Sequence, residues 1–157
     1  MTGAGTTWWR RLLRRGRVPA ALDGTRRDLV VVVSGFDDAE ACSTTLARGA
    51  EEEPYWRPAE SAVLRHHLTL PAGRVDEAAS IAAQDGYVLV SPAGETVNPA
   101  GEASGTVEVL FQRVQVLDAL HCSQERSRMA GLAQRLGGEA TGWDATQPPR
   151  DSATSSH

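Results

Sequence analysis

The stretch Ser61-Ala-Val-Leu-Arg-His-His-Leu-Thr-Leu-Pro71 decides the reading of this chain. At period two, Ala62, Leu64, His66, Leu68 and Leu70 share one face, and Val63, Arg65, His67 and Thr69 share the other. One face is apolar and the other mixed, which predicts a sheet strand with a covered side and an open side. The alternation places His66 among leucines and leaves His67 beside Arg65. A proline closes the run, and residues 73–84 follow with Val75, Ala78, Ala79, Ile81 and Ala82 at helical spacing and Gly86 as the stop.

Upstream, residues 28–36 contain four consecutive valines, which resist helix formation and predict a strand buried on both faces or paired within a sheet. Asp37 or Asp38 then starts a helix to about Arg48, with Cys42, Thr45 and Leu46 toward the core and Gly49 as its end. Glu51, Glu52 and Glu53 with Pro54 and Pro58 mark a loop that holds Tyr55 and Trp56. Downstream come a short strand at 87–90, a polar loop at 91–105 and a long strand at 106–117. The apolar parity of that last strand slips after Phe111, which predicts a bulge near Gln112 or Arg113. Ser123 is the expected cap of a helix with Met129, Leu132, Ala133 and Leu136 on one stripe, ended by Gly137-Gly138. A strand at 139–146 follows.

From Ser61 the order is strand, helix, strand, strand, helix, strand. A split βαβ unit repeated in this way predicts an α+β, ferredoxin-like sandwich: an antiparallel sheet with helices on one face, here with an added N-terminal strand and helix. The division expected is an arginine-rich arm at 1–27, one domain at 28–146 and a disordered tail at 147–157.

A chain of 157 residues, 41% of them hydrophobic, suits one domain with one core. Its net charge of -4 excludes a strongly basic nucleic-acid binder as the reading of the whole chain. All 16 basic residues are arginine. Seven of them lie in residues 1–28 against Asp23 and Asp28, a local balance of seven minus two, or plus five. There Trp8, Trp9, Leu12 and Leu13 make an apolar stripe. It reads as a membrane-surface or RNA-touching arm, or as a short helix docking its tryptophans on the domain, and the second is favoured because exposed tryptophans are uncommon. Cys42 and Cys122 have no metal-like spacing and suit a reducing compartment. With no apolar run of membrane-spanning length and no secretory leader, the expected location is cytoplasmic.

Catalytic and metal readings are weak. Neighbours on a strand point to opposite faces, so His66 and His67 cannot join His121 and Cys122 around one ion without distortion. Ser123 or Cys122 beside His121 is an adjacency in sequence, with a simpler explanation at a helix start. No glycine-rich phosphate loop is present. The expectation is a protein with no catalytic residues, no metal and no cofactor.

Three landmarks occur in order: the His66-His67 pair followed by Leu68-Thr69, Asp118-Ala-Leu120 leading into the Arg/Gln-rich helix, and Gly142-Trp143 after a short strand. Over roughly residues 37–146 the chain resembles the regulator of ribonuclease E activity B family, whose domain carries a His-His strand, a final helix and a closing Asp-Gly-Trp-Gly-Thr segment. Here that segment reads Thr141-Gly142-Trp143-Asp144-Ala145, without the flanking aspartate and the second glycine. The resemblance implies a non-catalytic protein that binds an endoribonuclease of the E/G type and lowers its activity, with His66, His67, Gly142 and Trp143 as the shared motif. An acidic face against arginine-rich ribonuclease segments makes Glu51, Glu52 and Glu53 the candidate contacts, with His67 and Trp143 on the open face or edge. The rival readings are a small-molecule-sensing regulatory domain on the same fold and a peripheral membrane protein attached through the 8–17 segment.

Overall fold

The structure is a computed structural model in which residues 22–91 and 105–150 are described. The tryptophan stripe of the arm, most of the 91–105 loop and the tail beyond residue 150 lie outside the described residues. Five strands form one antiparallel sheet: β1 (Val30–Gly35), β2 (Ser61–Pro71), β3 (Val88–Val90), β4 (Thr106–Val116) and β5 (Glu139–Gln147). The helices are α1 (Cys42–Glu51), α2 (Val75–Ala83) and α3 (Ala119–Arg135). In space the strands run β1-β5-β2-β4-β3. Counted from Ser61, the four strands therefore lie fourth, first, third, second, and the valine strand joins outside the fourth.

β2 is the central strand. It pairs with β4 over its whole length and with β5 along residues 63–69. The predicted alternation holds: Ala62, Leu64, His66, Leu68 and Leu70 are all buried. Burying the three leucines of this row contributes about 2 kcal/mol each. Two apolar clusters lie between the sheet and the helices. Leu68, Leu70, Val109 and Phe111 pack with α2 and the C-terminal half of α3, while Ala62, Leu64, Val33 and Trp143 pack with α1 and Cys122 of α3. His66 sits on β2 between the two clusters, and α3 reaches both.

The β2–β4 register is unbroken from Ser61↔Val116 to Pro71↔Thr106, so the bulge expected near Gln112 or Arg113 is absent. Arg113 stays on the helix side, its guanidinium carbon 4.5 Å from the Tyr87 ring centroid and its Nη1 donating to the Asp85 carbonyl. Val114 and Val116 fall on the open face, where they are exposed. The parity slips in sequence because the open face is itself apolar at that end. The register shifts lie elsewhere, in β1 between Val31 and Val33 and in the β2–β5 ladder between His67 and Leu68.

Helix boundaries also differ from the sequence reading. Asp37 accepts from the Ala39 amide in a turn that precedes α1, which begins at Cys42. Gly49 lies inside α1 and not after it; a Cβ there would stand 2.8 Å from the Val32 carbonyl, so the glycine lets the helix approach β1. Asp118, and not Ser123, caps α3, with Oδ1 accepting from the His121 amide at 2.8 Å. β5 continues through Gln147, which is fully buried. Its side chain accepts from the Arg57 amide and donates to the carbonyls of Arg57, Glu60 and Ser61, tying that loop to the sheet.

Two glycines at or near α3 carry opposite expectations. A Cβ on Gly138 would collide with the Thr69 carbonyl, whereas one on Gly131 meets open space. Gly138→Ala should lower stability by about 3 kcal/mol, and Gly131→Ala should raise it by up to about 1 kcal/mol. Urea denaturation of the two variants checks both signs.

Candidate functional site

Cross-strand rows build the open face of the sheet. One row sets Asp144, Arg65, Gln112 and Val88 side by side, flanked by Gly142, His67, Leu110 and Val90 on one side and Thr146, Val63 and Val114 on the other. Charge is concentrated in the middle row. Arg65 grips Asp144 bidentately, Nε to Oδ1 at 2.6 Å and Nη2 to Oδ2 at 2.7 Å. His67 Nε2 approaches Oδ2 at 3.0 Å. Both partners come from β2 and the carboxylate from β5, so the cluster spans the central strand pair.

The Asp144 side chain is only 6% exposed. Burial pushes its carboxyl pKa up, but the hydrogen bonds from His67 and Arg65 and the Arg65 charge outweigh burial and hold it below the usual carboxylate range. The ionised carboxylate accepts only, so the His67 Nε2 carries a proton toward it. Phe36, just past β1, packs against Gly142 and meets the His67 ring edge-on with centroids 4.9 Å apart. Half of Phe36 remains exposed. The outcome is an aromatic ring, an imidazole and a guanidinium fixed together on an accessible face.

His66 is in the core, as its place among leucines predicts. Its Nε2 lies 3.4 Å from the Tyr87 hydroxyl, which donates to Glu125 Oε1 at 2.7 Å. Arg113 and Arg128 each stand 3.5 Å from the Glu125 carboxylate. Burial first, then the charges of Arg113 and His67, push the His66 imidazole down to about 3, so it is neutral. Burial and the bond to Glu125 push the Tyr87 phenol well up. This network joins β2, β4, α3 and the turn before β3 from inside, and it satisfies the core histidine.

Glu51, Glu52 and Glu53 are exposed where α1 runs into the following loop, and His67 is on the open face. Trp143 is not at an accessible edge. It is 1% exposed, because its register opposite His66 turns it toward the helices. It supports the wall from within and offers no contact surface. His121 is exposed and bonds Asp118, while Cys122 is buried in one core cluster with Cys42, where burial pushes its thiol up to about 12. The four residues weighed as metal ligands are thus dispersed, and among the described residues no group of three His, Cys, Asp or Glu could hold an ion. Residues 22–29 cross the open face, with Gly24 against Val63 and Gln112.

Sequence reasoning missed Asp144 and Phe36. The signal for Asp144 was its shared parity with Gly142 on β5, but recognising its partners requires knowing that β5 lies beside β2. No sequence signal marked Phe36.

Buried Asp144 and buried His66 each make acid destabilising. The Asp144 carboxyl is lowered from 3.8, so its contribution is complete above that value and is lost as pH falls through the folded pKa. His66 drops from 6.5 to about 3, so its contribution is complete above 6.5 and fades as pH falls toward 3. Stability measured against pH should decline on that acid limb, and His66→Gln should flatten the upper part of the decline. Asp144→Asn should cost about 3 kcal/mol at neutral pH, because Arg65 is left without its counter-charge; urea melts provide the measurement. No protein-family model matches the chain, and no curated protein matches it.

Proposed function

We propose that this chain is a non-catalytic regulator that binds an endoribonuclease of the E/G type by protein–protein contact and lowers its activity, on a ferredoxin-like sandwich extended by β1 and α1. The observation that carries this reading is the mutual placement of the landmarks of the resemblance. His66 pairs with Trp143 and His67 with Gly142 on adjacent strands, and α3 packs against both of those strands. Segments far apart in sequence thus build one wall, which is what a shared motif in a binding protein has to do. The strand order counted from Ser61 supports the same topology.

The contact chemistry follows from charge. Glu51, Glu52 and Glu53 form an exposed acidic run, suited to steering arginine-rich ribonuclease segments and competing with the RNA backbone for them. His67, with Phe36 beside it, supplies a firmer contact on the open face, and Trp143 holds that face from beneath.

The test is a pull-down of the tagged full chain from its own cell extract, followed by an RNA-cleavage assay on the recovered enzyme. Enrichment of an E/G-type ribonuclease with slowed cleavage is the expected result. The triple variant Glu51→Arg, Glu52→Arg, Glu53→Arg should weaken association by more than about tenfold at low salt, with the gap narrowing as salt is added. Unchanged binding by that variant would remove the acidic run from the interface, and failure to recover or slow any ribonuclease would end the reading.

A further inference from the structure

Of the large apolar side chains left exposed among the described residues, three lie together on the open face: Val88 at 59%, Val114 at 37% and Val116 at 50%. β3 pairs with β4 only at residues 110–112, so Val114 and Val116 stand on β4 beyond the end of that neighbour. Val88 and Val114 border a groove of about 330 Å³ whose lining also includes Gly24, Thr25 and Gly86. An exposed apolar patch beside a groove marks a surface that something covers.

The course of the chain points to the occupant. Gly24 and Thr25 line the same groove as Val88 and Val114, so the segment that precedes Leu22 enters the described residues beside the patch. That segment, residues 1–21, carries Trp8, Trp9, Leu12 and Leu13, which share one side at helical spacing. The nine residues from Leu13 to Leu22 span up to about 30 Å when extended, so the stripe can reach all three valines. A short tether also holds the stripe at a high effective concentration over the patch.

Charge selects the same occupant. Residues 1–21 hold five arginines and no acidic residue, a balance of plus five; the whole chain is minus four, so residues 22–157 carry minus four less five, or minus nine. A segment of plus five is drawn to a body of minus nine at long range, whereas a second body of the same sign is repelled, and so is an anionic membrane. We propose that the Trp8, Trp9, Leu12 and Leu13 stripe of the N-terminal segment docks on Val88, Val114 and Val116 and covers that end of the open face, with its arginines turned to water. This docking is independent of ribonuclease binding.

A mutant cycle on the full chain, read as melting temperature, tests the docking. Trp8→Ser with Trp9→Ser removes the anchors of the stripe. Val88→Thr with Val114→Thr and Val116→Thr keeps the branched shape and strand propensity of the valines while making the patch polar. Each set should lower the melting temperature by about 3–6 °C, and both together should lower it no further than either alone. The valine set should also raise acrylamide quenching of tryptophan fluorescence, because it releases Trp8 and Trp9 into water. Vesicles of phosphatidylglycerol should not sediment the wild-type chain. Any of five results overturns the proposal: an unchanged melting temperature in the tryptophan variant, losses that add, unchanged quenching in the valine variant, sedimentation of the wild type with the vesicles, or a melting temperature that rises with protein concentration, the sign of a second copy on the patch.

Discussion

A carboxylate removed from water persists as an ion only when hydrogen bonds and opposite charge replace its hydration, and Asp144 meets that condition through Arg65 and His67. Much of the sheet follows from this. A slip of one residue between β2 and β5 would turn Asp144 toward the leucines of the helix side and Trp143 toward solvent. The ion cluster and the tryptophan therefore enforce the same register from opposite faces. The cluster also immobilises two side chains of β2, which gives the open face a fixed chemistry.

The two faces differ in how they treat polar groups. On the helix side a neutral histidine, a phenol, a glutamate and two arginines form one connected cluster with Arg128 at its exposed rim, while the buried Trp143 Nε1 has no hydrogen-bond partner among the described residues. On the open side the polar row is bordered by valines, and at least one hydroxyl is left without a partner.

What could be read from sequence was whatever depends on periodicity within one segment. The alternation of β2, the valine run of β1, the burial of His66 and the glycine stop after α3 are all local consequences of residue type. What could not be read depends on which segments become neighbours. Asp144 looked like a departure from a motif until β5 was set beside Arg65. Trp143 was expected at an edge because its partner strand was unknown. The parity change in β4 was read as a bulge on the assumption that an open face is polar, and Val114 and Val116 break that assumption. At the start of α3 the expected cap was Ser123, and Asp118 is the cap because the helix begins as soon as β4 and the buried Leu117 end.

The strand order carries a further consequence, for synthesis. β5 follows every other strand in the chain, yet it lies between β1 and β2. While a ribosome extends the polypeptide, β2, β3 and β4 can assemble among themselves, but the four valines of β1 have no edge to join until β5 emerges. For that interval the chain displays an unpaired, uncharged strand, the kind of segment that associates with copies of itself. Holding that strand apart until translation has passed β5 is a task for the cell as much as for the sequence.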